Sequence, residues 1–158
     1  MGGAQFVNPE DEQYAYQIGA MIAREGWVLL NGGRASGIME ASAKGAKDNG
    51  GITIGILPVD DPVWASQYID IPIVTGMGIA RNVINILSSD LIIALPGRAG
   101  TISEIALALN YGKEVILFRF DVSEWLKPYQ KEGKVHFINE LDELRVFIKK
   151  KLSDIYHK

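Results

Sequence analysis

The sequence predicts an α/β fold, a Rossmann-like three-layer domain with a mainly parallel sheet flanked by helices. Three observations point there. Short runs rich in Val, Ile and Leu alternate with segments of helical period, the runs are continuously apolar, and glycine punctuates the joins. A strand covered on both faces reads as an unbroken apolar run, whereas one with a wet face alternates. The strand–helix rhythm then selects parallel pairing with helices on both sides of the sheet.

In chain order, Met1-Gly2-Gly3 looks like the turn that normally follows a first parallel strand, yet no strand precedes it. Either the gene start was placed at an internal methionine or this version of the fold lacks that strand; the sequence leaves both open. Asn8 is expected to cap a first helix, with Pro9 at its opening position, Glu10 and Asp11 on the positive end of the dipole, and Gly26 just past its close. Trp27 to Leu30, Ile52 to Leu57, Leu91 to Ala94 and Val115 to Phe118 read as buried strands, with a short final strand over Val135 to Ile138. Helices are expected over Ile38 to Asn49, ending at Gly50, then Ile79 to Ser88, then Thr101 to Gly112. The last runs from Glu140 through Ile155 behind an Asn139 cap. No repeat, low-complexity tract or linker interrupts the pattern, so residues 1–158 are expected to form one Rossmann-like nucleotide- or phosphate-binding domain.

Composition narrows the function. The 158 residues are 47% hydrophobic and 22% charged, as in an ordinary globular protein. A formal net charge of −3 argues against a general grip on nucleic acid or acidic lipid. The run Lys149-Lys150-Lys151 reads as a solvated helix face. Cysteine is absent, which excludes disulfides, thiolate metal sites, iron–sulfur clusters and cysteine nucleophiles. His136 and His157 form no ligand-spaced pair and read as structural or surface residues, so no metal site is expected. With neither a bilayer-length apolar stretch nor a signal peptide, a cytoplasmic address is expected.

Ligands of a parallel α/β sheet bind at the strands' carboxyl edge. Three segments converge there. Asn31-Gly32-Gly33-Arg34-Ala35-Ser36-Gly37 leaves the first strand, and Thr75-Gly76-Met77-Gly78-Ile79-Ala80-Arg81-Asn82 opens the third helix. Leu95-Pro96-Gly97-Arg98-Ala99-Gly100-Thr101-Ile102-Ser103-Glu104 joins a strand to the fourth helix. Glycine lets backbone amides approach an anion, and a helix start supplies unpaired N–H donors with a favourable dipole. Arg34, Arg81 and Arg98 add bidentate cationic donors. None of the three is a P-loop or a full G-x-G-x-x-G fingerprint.

Structural readings stand beside these. Thr101-Ile102-Ser103-Glu104 fits a capping box, and spacing alone favours that role for Glu104. Arg81 in a first helical turn faces an unfavourable dipole, which favours a bound anion beside it. Arg34 and Arg98 read equally well as solvated loop charges. Asp60, Asp61 and Asp70 are explained by loop caps and solubility. Trp64 and Tyr68 belong to a lid or a subunit contact.

At these loops the sequence resembles a known family. Pro96-Gly97-Arg98-Ala99-Gly100-Thr101-Ile102-Ser103-Glu104 is similar to the P-G-G-x-G-T-x-x-E signature of the Lonely Guy-type phosphoribohydrolases, of a superfamily often mislabelled as lysine decarboxylases. Met77-Gly78-Ile79-Ala80-Arg81-Asn82 resembles their M-x-x-R-[KN] segment, and Gly32-Gly33-Arg34-Ala35-Ser36-Gly37-Ile38-Met39 their G-G-x-x-G-[IL]-M loop. The likeness runs from Gly2 to about Gly112. Ile69-Asp70-Ile71-Pro72-Ile73 before Thr75-Gly76-Met77-Gly78, with Ser103-Glu104-Ile105-Ala106-Leu107-Ala108-Leu109, looks closest to the molybdenum cofactor carrier protein-like branch.

The resemblance implies a phosphorylated nucleotide-like ligand at the sheet edge, with two outcomes. One is hydrolysis of the N-glycosidic bond of nucleoside 5′-monophosphates, not lysine decarboxylation. The other is a non-catalytic molybdenum cofactor carrier or nucleotide-ligand sensor. In the enzymatic case it makes Arg81 and Glu104 the catalytic pair, Glu104 stabilising the oxocarbenium charge or positioning water and Arg81 orienting substrate and carboxylate. It implies ligand contacts from Gly32, Gly33, Arg34, Gly37, Met77, Gly97, Arg98, Gly100 and Thr101, with no required cofactor beyond a bound nucleotide, phosphate or molybdopterin-type ligand. It also implies a homodimer or higher homo-oligomer. Two departures count against catalysis more than against binding: Arg98 replaces the signature's second glycine, and Ser103 the first of two acidic residues.

Overall fold

In the computed structural model, which describes residues 1–121 and 124–156, parallel pairing builds two three-stranded sheets. Strands β1 (Val28–Asn31), β2 (Ile52–Leu57) and β3 (Ile71–Val74) pair in that order. Strands β4 (Ile92–Ala94), β5 (Val115–Phe118) and β6 (Val135–Ile138) do the same. Val28 stands opposite Ile52, Ile54 opposite Ile71, and Val115 between Ile92 and Val135. The Rossmann-like α/β class is as expected. His157 lies outside the described residues.

The apolar runs explain the layering. Along β5, Ile116 and Phe118 join a core with α1 (Asp11–Arg24), α2 (Gly37–Asp48) and α6 (Leu141–Tyr156). Val115 and Leu117 point the other way, into a core with α3 (Asn82–Ser88) and α4 (Ala99–Asn110). All four side chains are buried, so an unbroken apolar run is what this strand requires.

The β1–β3 sheet departs from the expectation of two covered faces. Leu29 packs with α1 and α2, so Val28 and Leu30 face the opposite side. By register that side also carries Ile52, Ile54, Ile71 and Ile73. Val28, Ile52, Ile71 and Ile73 remain exposed there. Strand β3, absent from the sequence reading, is an edge strand exposed at every position and interrupted by Pro72. A short helix, α5 (Lys127–Lys131), was also not anticipated.

Helix ends follow the expected glycines more closely than the expected caps. Gly26 and Gly50 sit just past α1 and α2 in the left-handed conformation. Asn8 does not cap α1. The helix opens at Asp11, whose buried carboxylate instead accepts from the backbone N–H groups of Val7 and Asn8 at 3.0 and 2.7 Å. Asn8 Nδ2 donates to the same carboxylate at 3.3 Å, so Asn8 and Pro9 are held in the turn that precedes the helix. Helix α6 opens at Leu141, next to Glu140 rather than Asn139. The lysine run is not simply solvated: Lys149 pairs with Glu25 at 2.7 Å and Lys151 with Glu114 at 2.7 Å.

Met1 joins β4. Its amino nitrogen donates to Ile93 O at 2.5 Å and its carbonyl accepts from Leu95 N at 3.0 Å. That is the bonding of one parallel rung opposite Ala94. The chain then turns away at Gly3, whose carbonyl accepts from Ile38 N at the start of α2.

Candidate functional site

The carboxyl edge of the strands receives three turns, and the local geometry of each decides which side chains reach the centre. After β1, the buried Asn31 holds the first turn. Its Oδ1 accepts from Gly33 N at 2.8 Å, and its Nδ2 donates to Met39 O at 3.0 Å and Ser42 Oγ at 3.2 Å. A second strap comes from beyond β2: Ser66 N donates to Gly33 O at 2.8 Å, and Arg34 forms an antiparallel bridge with Ala65. Asn31 went unremarked as a functional residue; its position between a strand and a Gly-Gly turn was the signal available.

Gly32 is where Arg81 is seated. A Cβ there would stand 2.8 Å from Arg81 Cζ and 2.6 Å from Met39 Sδ, so only glycine lets the guanidinium lie against this turn. Arg81 ends a 3₁₀ turn over Gly78–Arg81 that leads into α3. The helix expected from Ile79 therefore begins as a tighter turn, and Arg81 is its flanking residue. The side chain is 9% exposed and its Nε has no hydrogen-bond partner. Burial lowers its pKa, the Glu104 charge opposes this, and the nearby Arg34 charge adds to the lowering.

Glu104 comes from α4. That helix opens at Ala99 with the extended Arg98 as its flank, two residues earlier than expected. Thr101 is thus the third residue inside the helix, buried, with its Cβ turned toward Gly97; a Cβ on Gly97 would meet it at 2.7 Å. The capping box expected from Thr101 and Glu104 does not form. A box needs its hydroxyl outside the first turn, and here the backbone is already helical. Ser103 donates instead to Gly100 O at 2.7 Å.

Freed from capping, Glu104 is buried at 8% exposure. Its pKa is raised because burial disfavours the carboxylate; the Met1 ammonium, the Arg81 guanidinium and the amide of Asn85 oppose that rise. Asn85, one helical turn beyond Arg81, is buried at 8% exposure and its Oδ1 has no partner. It too escaped the sequence reading, although an i, i+4 pair of polar residues in an apolar helix was its trace.

The structure thus brings Arg81, Glu104, Gly32 and Gly33 to one buried place, with Arg34 electrostatically close to Arg81. Gly97 and Thr101 meet each other one turn away. Gly37 begins α2. Met77, Arg98 and Gly100 are exposed and stay outside the buried group. Ala99, Gly100 and Thr101 head α4, and the first turn carries no acidic side chain to occupy their N–H groups. Such a place offers hydrogen-bond donors to an anion at its rim, with the buried Arg81 and Glu104 side chains nearby.

The other candidates fall elsewhere. Asp61 accepts from Val63 N at 2.9 Å, and Asp70 accepts from Thr53 N and Oγ1, both at 3.0 Å, so these two serve loop and strand. Trp64 is exposed, and Tyr68 packs on the core. His136 Nε2 lies 2.8 Å from Glu114. Among the described residues no group of three or more His, Cys, Asp or Glu could hold a metal ion, and no helix is long and apolar enough to cross a membrane.

Parallel strands with glycine turns at their carboxyl edge, and Arg81 and Glu104 buried among those turns, define a Rossmann-like α/β protein. The chain belongs to the SLOG cluster4 family, whose model matches residues 1–149. It is similar to the molybdenum cofactor binding protein of the phototrophic bacterium Rippkaea orientalis, with 45% identity and a TM-score of 0.87 over 94% of this chain and 91% of that one. The molybdenum cofactor carrier protein of Chlamydomonas reinhardtii shares 38% identity and a TM-score of 0.86, over 97% and 95%. A cytokinin riboside 5′-monophosphate phosphoribohydrolase of Mycobacterium tuberculosis is 37% identical across 59% of this chain, which spans about half (51%) of that enzyme's length.

Proposed function

We propose that this protein is a carrier that holds a phosphorylated pterin- or nucleotide-type molecule, with the molybdenum cofactor as the favoured cargo. The observation that carries the proposal is likeness across nearly the whole chain to two molybdenum cofactor-binding proteins, at 45% and 38% identity. The phosphate would be met by the N–H groups of Gly97, Gly100 and Thr101, with Gly32, Gly33 and Gly37 opposite and the exposed Arg34 and Arg98 as cationic donors. Met77 would border the entrance. Beneath, Arg81 and Glu104 would hold the part of the ligand beyond the phosphate.

The hydrolase is the second reading, favoured by one observation: Arg81 and Glu104 are both buried and near enough for each charge to shift the other's pKa. A single experiment separates the two. Purified chain is mixed with molybdenum cofactor released from a donor molybdoenzyme, and retained pterin is read by fluorescence after gel filtration. In parallel, nucleoside 5′-monophosphates are assayed for ribose 5-phosphate. Retention without release supports the carrier. Release that disappears in Glu104→Gln, with binding retained, makes it a phosphoribohydrolase.

The exposed face formed by Val28, Ile52, Ile71 and Ile73 supports assembly as a homo-oligomer, since apolar sheet faces seek cover. Ile52→Glu should reduce the mass seen by light scattering; a monomeric wild-type chain would refute this.

A further inference from the structure

Two buried polar atoms beside Glu104 are unpaired, and they are complementary. Arg81 Nε–H is a donor without an acceptor; Asn85 Oδ1 is an acceptor without a donor. Both residues are at least nine-tenths buried. Four residues apart on the segment entering α3, they share one face, and the Asn85 side chain is near enough to Glu104 to oppose the rise in its pKa. A buried amide oxygen left without a donor is costly, and buried polar groups are as a rule satisfied. Neither atom is used by the phosphate contacts proposed above.

We propose that Asn85 is a ligand-reading residue: with Arg81 Nε–H, its Oδ1 takes a group in which a hydrogen-bond donor adjoins an acceptor, carried by the ligand beyond its phosphate. This rests on the phosphorylated-ligand reading of the site. Two kinds of ligand atom offer that chemistry, the hydroxyls of a sugar phosphate and the lactam edge that guanine shares with pterins. Asn85 is distinct from the rim because it has no part in holding phosphate. Selectivity among phosphorylated molecules would therefore sit on α3, and phosphate affinity on α4.

The test is calorimetric binding of inorganic phosphate, ribose 5-phosphate and GMP to the wild-type chain, Asn85→Ala and Asn85→Leu. Leucine fills the volume that alanine empties, so the variant whose thermal unfolding matches wild type carries the measurement. Phosphate affinity is expected to stay the same, while the affinity for ribose 5-phosphate falls about 10-fold, the effect of one lost hydrogen bond. A fall for GMP alone assigns the lactam as the group that is read. Equal losses for all three probes, or none, overturn the proposal and leave the phosphate site standing. A wild-type chain that binds none of the probes sinks both readings together.

Discussion

A methyl group at Gly32 has nowhere to go without moving Arg81. Built on the backbone, it stands 2.8 Å from Arg81 Cζ and 2.6 Å from Met39 Sδ, against a comfortable carbon separation of about 3.5–4.0 Å. The guanidinium must retreat by roughly 1 Å, a displacement that can cost on the order of 100-fold where a positioned group acts on a ligand. Losing a charged hydrogen bond outright gives a similar figure, about 1.5–3 kcal/mol. Stability should hardly change. Both colliding atoms belong to flexible side chains, and Gly→Ala lowers the unfolded chain's entropy, worth about 0.4–1 kcal/mol. Gly32→Ala is therefore expected to weaken binding of GMP, or of the molybdenum cofactor, by 10- to 100-fold with a melting temperature within a few degrees of wild type. Calorimetric titration beside a thermal melt reads both. Unchanged affinity in a normally folded variant would show that the Gly32 seat of Arg81 has no part in the site.

Other expectations follow the same geometry. Burial raises the pKa of Glu104, so its contribution to stability is fully present below the unfolded value near 4.3 and lost as pH rises through the folded one. The melting temperature of Glu104→Gln should gain on wild type as pH is raised from 4 to 8; a constant difference would contradict this. Gly45 lies where α1 and α2 cross, and a Cβ there would be 2.7 Å from the carbonyl carbon of Tyr16 and 3.0 Å from its Cα. Backbone cannot yield as a side chain does, so Gly45→Ala should cost about 1–3 kcal/mol, or about 2–4 °C of melting temperature per kcal/mol. A calorimetric scan checks it, and an unchanged melt would mean the helices slide apart freely. Arg98 is exposed at the head of α4. Arg98→Ala should loosen phosphate binding about 3-fold at low salt and much less at high salt; salt-independent loss would point to a packing role.

The sequence by itself determined the class of fold. Continuous apolar runs mark the strands of a parallel sheet, although only Val115–Phe118 is buried at every position while Val28 and Ile52 stay exposed, and the glycines after α1 and α2 stop helices by a local conformational rule. It also marked the three turns at one sheet edge, because glycine and arginine beside helix starts carry their chemistry locally. Tertiary structure decided the rest. Strand β3 was missed because Pro72 at its centre argues against a strand, and only the sheet shows that the position lies on an edge where a missing N–H is tolerated. Spacing assigned Glu104 to a capping box; only the true start of α4 at Ala99 released it to stand with Arg81. Asn31 and Asn85 were overlooked because an asparagine's role depends on what it faces, and that is settled by distant segments. One-dimensional patterns record what a residue prefers near its neighbours in the chain, whereas burial beside Arg81 is a property of three turns brought together by the sheet.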